Sequence, residues 1–156
     1  QLRANSLDAH AYAELARAVC AHAQSCNVQV LLNAEPELAA EIGAAGVHLN
    51  ARRLMQCARR PLPDTLWVAA SCHNATELAQ AAHIGCDFVV LGPVRPTASH
   101  PGAAWLDWSG LHALCETTTL PVYALGGMEI VDLDAAWCVG AQGIAAIRAL
   151  WPEVDA

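Results

Sequence analysis

The fold is decided by residues 84–102, which read IGCDFVVLGPVRPTASHPG. A turn of small residues leads into the apolar residues Phe88 to Leu91, and a long loop rich in glycine, proline and hydroxyl groups follows. A short apolar run bounded by turn residues is typical of a strand that is buried on both faces. The stretch therefore predicts a parallel strand whose carboxyl end carries a functional loop.

The same combination of turn and apolar run recurs along the chain. Turns of small residues at 42–46 and 139–143 have the same character as residues 84–87, and each leads into an apolar run. The predicted strands are Val28–Leu32, Gly46–Leu49, Leu66–Ala70, Phe88–Leu91, Val122–Leu125 and Gly143–Ile147. Residues Gln1–Arg3 are interpreted as the end of one further strand.

Helix signals lie between the predicted strands, so that β and α alternate. Asn74, followed three residues later by Glu77, is typical of a capping box at a helix start. The predicted helix starts are Ser6, Pro36, Asn74, Asp107 or Ser109, and Asp132. Right-handed crossovers between parallel strands produce either a doubly wound sheet or a closed barrel.

The repeated turns before the strands and the polar residues after them favour the barrel. We therefore predict an α/β protein with a TIM (β/α)₈ barrel, formed by residues 1–156 as a single domain. The six predicted strands and the end of strand 2 indicate about six complete βα units, where a full barrel has eight. We expect the barrel to be N-terminally incomplete, lacking the first βα unit.

Composition and charge exclude several classes of protein. The formal net charge is −7 and all eight basic residues are arginine, which argues against a nucleic-acid partner because counterion release needs a basic face. Without lysine in these residues, Schiff-base chemistry is excluded. The seven cysteines form no C-x-x-C pair, and no apolar run reaches the roughly 18 residues of a membrane span. We predict no membrane partner and a cytoplasmic protein.

Polar residues collect after the predicted strands, positions that share one face of a barrel. Those found from position alone are Gln1, Arg3, Asn33, His48, Asn50, Ser71, His73, residues 92–102, Gly126, Gly127 and Arg148. Thr97 and Ser99 offer hydroxyl groups, and His100 can exchange a proton near neutral pH. The glycine amides and Arg148 are typical of a barrel phosphate site.

Simpler interpretations of the same residues stay open. Residues 92–102 are compatible with an ordinary long loop, and Gly126 with Gly127 is compatible with a tight turn. His48 and His73 have the alternative of a hydrogen-bonded core or loop histidine. Position in sequence does not separate these interpretations.

Seven segments, spread over essentially the whole chain, carry a family resemblance. They are residues 1–3 (QLR), 31–33 (LLN), 46–49 (GVHL), 71–77 (SCHNATE), 91–97 (LGPVRPT), 124–127 (ALGG) and 140–145 (GAQGIA). In this order they resemble the superfamily of thiamine phosphate synthases and thiazole tautomerases. The synthases join a pyrimidine diphosphate to a thiazole phosphate with the help of magnesium, so the resemblance implies a small phosphorylated ligand.

The resemblance also implies roles for individual residues. Gln1 and Arg3 stand where the family binds the diphosphate, and Thr97 and Ser99 stand at the positions of its paired hydroxyl residues. Gly127 and the Ile147–Arg148 turn stand at its thiazole-phosphate site. The ligand-binding set is Gln1, Arg3, Asn33, Ser71, Thr97, Ser99, Gly126, Gly127, Ile147 and Arg148. A tautomerase would need an acid/base residue but no metal, and His100 or His73 is the candidate for that catalytic role.

The chain departs from the synthases at the metal. Ala34 and Arg53 stand where the resemblance implies magnesium carboxylates, and Asn5 and His100 stand where it implies lysines. Because magnesium prefers oxygen ligands and usually at least one carboxylate, we predict no magnesium cofactor and no efficient synthase activity.

A narrower resemblance concerns residues 96–102 and 123–128, which are similar to a synthase-like domain fused behind a Nudix hydrolase of the 8-oxo-dGTP diphosphatase type. In that setting the barrel would be an accessory domain with the Nudix domain as its covalent partner. Binding of a phosphorylated ligand without turnover distinguishes this alternative from an enzyme.

Overall fold

The computed structural model of the chain describes residues 1–97, 102 and 104–151. The strands are β1 (Leu31–Leu32), β2 (Gly46–Leu49), β3 (Trp67–Cys72), β4 (Phe88–Leu91), β5 (Val122–Leu125) and β6 (Gly143–Ala145). The helices are α1 (Ala9–Ser25), α2 (Pro36–Ile42), α3 (Ala51–Gln56), α4 (Ala75–His83), α5 (Asp107–Cys115) and α6 (Leu133–Cys138), with 3₁₀ turns at Ile130–Asp132 and Arg148–Leu150. Strands and helices alternate, as predicted.

The order of the strands distinguishes a barrel from a doubly wound sheet. The six strands are parallel, and each pairs with its neighbour in sequence, in the order β1 to β6. A doubly wound sheet reverses its strand order at a switch point, whereas a barrel does not. Leu2 extends the sheet by pairing in parallel with Leu32, and its N–H donates to the carbonyl of Leu31 at 2.9 Å. The barrel-type prediction is therefore confirmed, including the strand end at residues 1–3.

The strand side chains divide between the two faces of the sheet. Alternate strand residues pack against the helices in one apolar core, which includes Val47, Leu49, Val68, Ala70, Val89, Leu91, Val122 and Ala124 together with Leu54, Leu78 and Leu111. Residues between them point to the opposite, inner face because successive side chains of a strand alternate. His48 and Ser71 belong to this inner set.

Helix starts follow the predicted positions with two corrections. The starts at Pro36, Asp107 and Asp132 are confirmed. The first helix is capped by Asp8 and not by Ser6, because the carboxylate of Asp8 accepts the N–H of Ala11 at 2.9 Å. Half of the predicted capping box forms: Asn74 Oδ1 accepts the N–H of Glu77, but the Glu77 carboxylate accepts the N–H of His73.

Several strand ends differ from the predicted ones. Val28 is not in β1, since its N–H donates to the carbonyl of Ala23 at 2.9 Å and closes the end of α1. In the other direction, β3 runs two residues beyond Ala70, which places Ser71 inside the strand. The last strand ends at Ala145, two residues earlier than predicted.

Helix lengths bear on the membrane prediction. The longest helix in the described part of the chain is α1, with 17 residues. No helix there is long and apolar enough to cross a membrane. The cytoplasmic location stays a prediction.

Arg60 joins the amino ends of β3 and β4. Its Nη2 donates to the carbonyl of Leu66 and to Asp87 Oδ2, both at 2.8 Å, and its Nη1 donates to the carbonyl of Gly85. Asp87 Oδ2 also accepts the N–H of Val68 at 2.7 Å. The Arg60 side chain is 17% exposed and the Asp87 side chain 29%, so removal of Arg60 leaves a partly buried carboxylate without its counter-charge.

We expect Arg60→Ala to lower the free energy of unfolding by about 2 kcal/mol, because breaking a partly buried ion pair strands the remaining charge. The control is Arg17→Ala, since Arg17 pairs with Glu41 at 2.8 Å while both side chains are more than half exposed. That change should cost less than about 1 kcal/mol. Urea denaturation measures both values, and equal losses would contradict the role given to Arg60.

Candidate functional site

The predicted site residues that the structure describes lie at or near one edge of the sheet. Carboxyl ends of parallel strands meet at the same edge, so residues that follow different strands become neighbours. The pairing of Leu2 puts Gln1 and Arg3 at this edge, Asn33 follows β1, His73 follows β3, Thr97 lies six residues beyond β4, Gly126 and Gly127 follow β5, and Ile147 and Arg148 follow β6. Ser99 and His100 lie outside the described residues. Ligand binding by these residues stays a prediction.

His48 and Ser71 form a buried polar pair on the inner face. His48 Nε2 lies 2.8 Å from Ser71 Oγ, and the histidine is only 2% exposed. The register explains the contact, since His48 is opposite Ala69 on β3 and Ser71 is the next residue on that face. Burial lowers the pKa of His48 to about 4, and the positive charge of Arg3 acts in the same direction. The ring is therefore neutral at neutral pH, as the interpretation of a hydrogen-bonded core histidine requires.

His73 lies directly after β3, at the same edge of the sheet. Its Nδ1 is 2.8 Å from Glu77 Oε2, and its side chain is 51% exposed. The same carboxylate oxygen accepts the His73 backbone N–H at 2.7 Å, so Glu77 orients both the chain and the ring. The proposed acid/base role of His73 stays a prediction.

The loops after β4 and β5 are hydrogen-bonded to each other. The N–H of Val94 donates to the carbonyl of Leu125 at 2.8 Å, and the N–H of Arg95 donates to that of Gly126 at 3.2 Å. Gly126 has a φ of 102°, and a Cβ atom there would lie 2.6 Å from Cβ of Pro93. Glycine is therefore required at this position both by backbone conformation and by close approach.

Arg95 and Asp132 connect the same two loops through side chains, and the sequence analysis did not predict this pairing. Nη2 and Nη1 of Arg95 donate to the two Asp132 oxygens at 2.6 and 2.8 Å, and Nη1 is also 3.4 Å from the carbonyl of Gly127. The guanidinium lies 5.4 Å from the centre of the Trp108 ring. Burial alone would raise the pKa of Asp132, but the hydrogen bonds from Arg95 and from the N–H of Glu129 outweigh it, so the pKa is lowered.

Arg53 lies on α3, which follows β2, and its side chain contacts residues that follow β1. Its Nε and Nη2 donate to Glu35 Oε1 at 3.0 and 2.7 Å, and its Nη1 is 3.4 Å from Asn33 Oδ1. Ala34 is buried beside these residues and offers no side-chain oxygen. A guanidinium repels a divalent cation, and Oε1 of the nearby Glu35 already accepts hydrogen bonds from this guanidinium. The residues present do not fit a magnesium ion.

A cavity of about 380 Å³ opens beside Arg53, between the start of α1 and the loops after β1 and β2. Its lining includes Asn5, Tyr12, Asn33 and Glu35. This volume lies in the range of small-molecule sites. A second cavity, of about 280 Å³, lies at the opposite edge of the sheet near Asn27, away from every predicted site residue.

Comparison with known proteins decides the family. A family model described as "Thiamine monophosphate synthase" matches residues 1–150. This chain belongs to the thiamine monophosphate synthase family. It is 35% identical, over 99% of its length, to a putative thiamine-phosphate synthase of Geobacter sulfurreducens, of which it covers 74%. It is 30% identical to the thiamine-phosphate synthase of Halorhodospira halophila, of which it covers 75%.

A solved structure supports the fold of this thiamine monophosphate synthase family member. Thiamine phosphate pyrophosphorylase from Pyrococcus furiosus superimposes with a TM-score of 0.75 at 22% identity, covering 95% of this chain and 71% of that one. At this identity the likeness concerns the fold, and it agrees with the consecutive strand order. The predicted resemblance is confirmed at the level of the family. The fusion to a Nudix domain is not shown by these comparisons and stays a prediction.

Proposed function

We propose that this member of the family binds a small phosphorylated heterocycle, of the thiazole phosphate or thiamine phosphate type, at the carboxyl edge of its sheet. We further propose that it does not catalyse the magnesium-dependent synthase reaction. The observation that carries the proposal is the hydrogen-bonded pairing of the loops after β4 and β5. That pairing supports a phosphate site because Thr97 and Gly127 belong to these two loops.

Charge and space support the same ligand class. Arg3 and Arg148 are exposed at this edge, and the planar guanidinium suits bidentate contacts with phosphate oxygens. The cavity beside Arg53 offers space of the size that a heterocycle needs, with amide and hydroxyl groups in its lining. A dianionic phosphate on a small ring satisfies both features.

Calorimetric titration tests the binding proposal with thiazole phosphate and with the corresponding unphosphorylated thiazole alcohol. The phosphate is expected to bind and the alcohol to bind at least about tenfold more weakly, because a charged hydrogen bond contributes roughly 1.5 to 3 kcal/mol. Thr97→Val should lower the affinity for thiazole phosphate by about tenfold for the same reason. The matched control is Thr119→Val at the opposite edge, which should leave affinity unchanged. Equal affinities for phosphate and alcohol would end the proposal.

Magnesium is expected to have no effect on this protein. Affinity for thiazole phosphate should agree within about twofold in magnesium chloride and in EDTA, since Ala34 and Arg53 provide no carboxylate for the ion. Supplying pyrimidine diphosphate and thiazole phosphate together should release no pyrophosphate above background. Thiamine phosphate formation that depends on magnesium would contradict this expectation.

A paired substitution gives the magnesium prediction a positive control. Ala34→Asp with Arg53→Asp adds two carboxylates and removes the guanidinium, so this variant should bind Mn²⁺, detected by electron paramagnetic resonance, where the parent protein does not. Ala34→Asp alone should fail, because the new carboxylate would pair with Arg53. Mn²⁺ binding by the parent protein would show that Arg53 does not displace a metal.

A further inference from the structure

We propose that Arg95 and Asp132 are positioning residues that hold Thr97 and Gly127 in the arrangement needed to bind phosphate. This inference rests on the proposed function and assigns the residues that preorganise its site. Arg95 lies two residues before Thr97, and Asp132 lies five residues after Gly127. One ion pair therefore ties together the two loops that supply the predicted ligand groups.

The geometry gives Arg95 a supporting role and not a ligand role. Both of its terminal nitrogens donate to Asp132, at 2.6 and 2.8 Å, in the bidentate arrangement of an arginine and a carboxylate. The Asp132 side chain is only 8% exposed and also accepts the N–H of Glu129 at 2.9 Å. The guanidinium is thus bonded to a fixed partner, which reduces its capacity to reach a phosphate.

The ion pair acts on Gly127 through short connections. Nη1 of Arg95 is 3.4 Å from the Gly127 carbonyl, and the Arg95 N–H donates to the Gly126 carbonyl at 3.2 Å. A Cβ atom on Gly127 would lie 3.0 Å from Cβ of Arg95 and 3.4 Å from the carbonyl oxygen of Pro96. The Gly127 peptide and the chain leading to Thr97 are in contact, so a shift of one displaces the other.

A third element stabilises the position of Arg95. Its guanidinium lies over Trp108 on α5, 5.4 Å from the ring centre, a geometry in which a cation is attracted to the aromatic face. The loop after β4 is therefore held both against the loop after β5 and against α5. Binding groups held by rigid surroundings bind a ligand more tightly because they lose less conformational freedom on binding.

Asp132→Asn separates positioning from direct binding by the sign of its effect. If Arg95 were a ligand held back by Asp132, removing that negative charge would free it, and affinity for thiazole phosphate would rise. If the pair positions the loops, affinity should fall by about tenfold, since small misplacements of binding groups are costly. Arg95→Lys should cause a similar loss, because lysine keeps the charge but lacks the planar fork. Asp132→Glu, which keeps the carboxylate, should recover part of the affinity.

The experiment combines calorimetry with the Gly127 amide resonance in a ¹H–¹⁵N spectrum. In the parent protein this resonance should shift on adding thiazole phosphate, and in Asp132→Asn it should be displaced or broadened before any ligand is added. Thermal unfolding checks that each variant is folded at the titration temperature, and Arg17→Ala, which breaks a remote ion pair, should bind like the parent.

The possible failures are distinguishable. Absence of binding by the parent protein would remove the proposed function itself. Binding by the parent together with unchanged or tighter binding by Asp132→Asn would overturn the positioning role alone. A variant with a lower unfolding temperature and full affinity would reduce the ion pair to a stabilising contact and likewise overturn the inference.

Discussion

Gly126→Ala is expected to lower the free energy of unfolding by about 3 kcal/mol. A side chain at a φ of 102° is strained, and its Cβ atom would lie 2.6 Å from Cβ of Pro93. Neither Pro93 nor the turn can move freely, because the N–H of the next residue, Val94, is bonded to the carbonyl of Leu125 at 2.8 Å. Overpacking of this kind costs about 1 to 3 kcal/mol in addition to the backbone strain.

Gly85→Ala is the matched control for this prediction. Gly85 has a φ of 74°, but a Cβ atom there meets nothing within 4 Å. It therefore carries the backbone strain alone, about 1 kcal/mol. Urea denaturation gives both free energies, and calorimetry with thiazole phosphate should show a loss of binding for Gly126→Ala only. Equal destabilisation by the two changes would mean that the loops after β4 and β5 are not rigidly joined.

Stability is expected to fall by about 3 kcal/mol between pH 6.5 and pH 4 through His48 alone. The ordinary pKa of 6.5 applies to the unfolded chain, whereas burial lowers the pKa of His48 in the folded protein to about 4. Between these values the unfolded state binds a proton that the folded state does not, so falling pH favours unfolding. Above pH 6.5 and below about pH 4 this contribution no longer changes with pH.

His48→Gln isolates this contribution from those of the other titratable groups. Glutamine does not titrate and keeps an amide that can reach Ser71 Oγ, which lies 2.8 Å from the histidine ring in the parent protein. The free energy of unfolding, measured from pH 7 downwards, should fall less steeply for the variant. Parallel curves for the two proteins would contradict the lowered pKa.

Some features of the predicted site could be predicted from the sequence, and others could not. The positions of Gly126 and Gly127 after a strand were predictable because glycine pairs are rare in apolar strands and common in turns. The requirement for glycine at Gly126 was not, since it arises from Pro93, which lies 33 residues earlier in the chain. His48 illustrates the same limit: its place on a strand followed from the apolar run, but its partner Ser71 follows from the register between β2 and β3.

By itself, the sequence determined the six strands, their alternation with helices and the family. These features follow from local patterns, because an apolar run between turns specifies a buried strand wherever it occurs. Only the tertiary structure decided that Arg95 bonds Asp132, 37 residues away, and that Arg53 bonds Glu35 at the end of β1. Such pairs depend on which strands lie side by side and on where each loop turns, and no local pattern encodes the distance between two side chains.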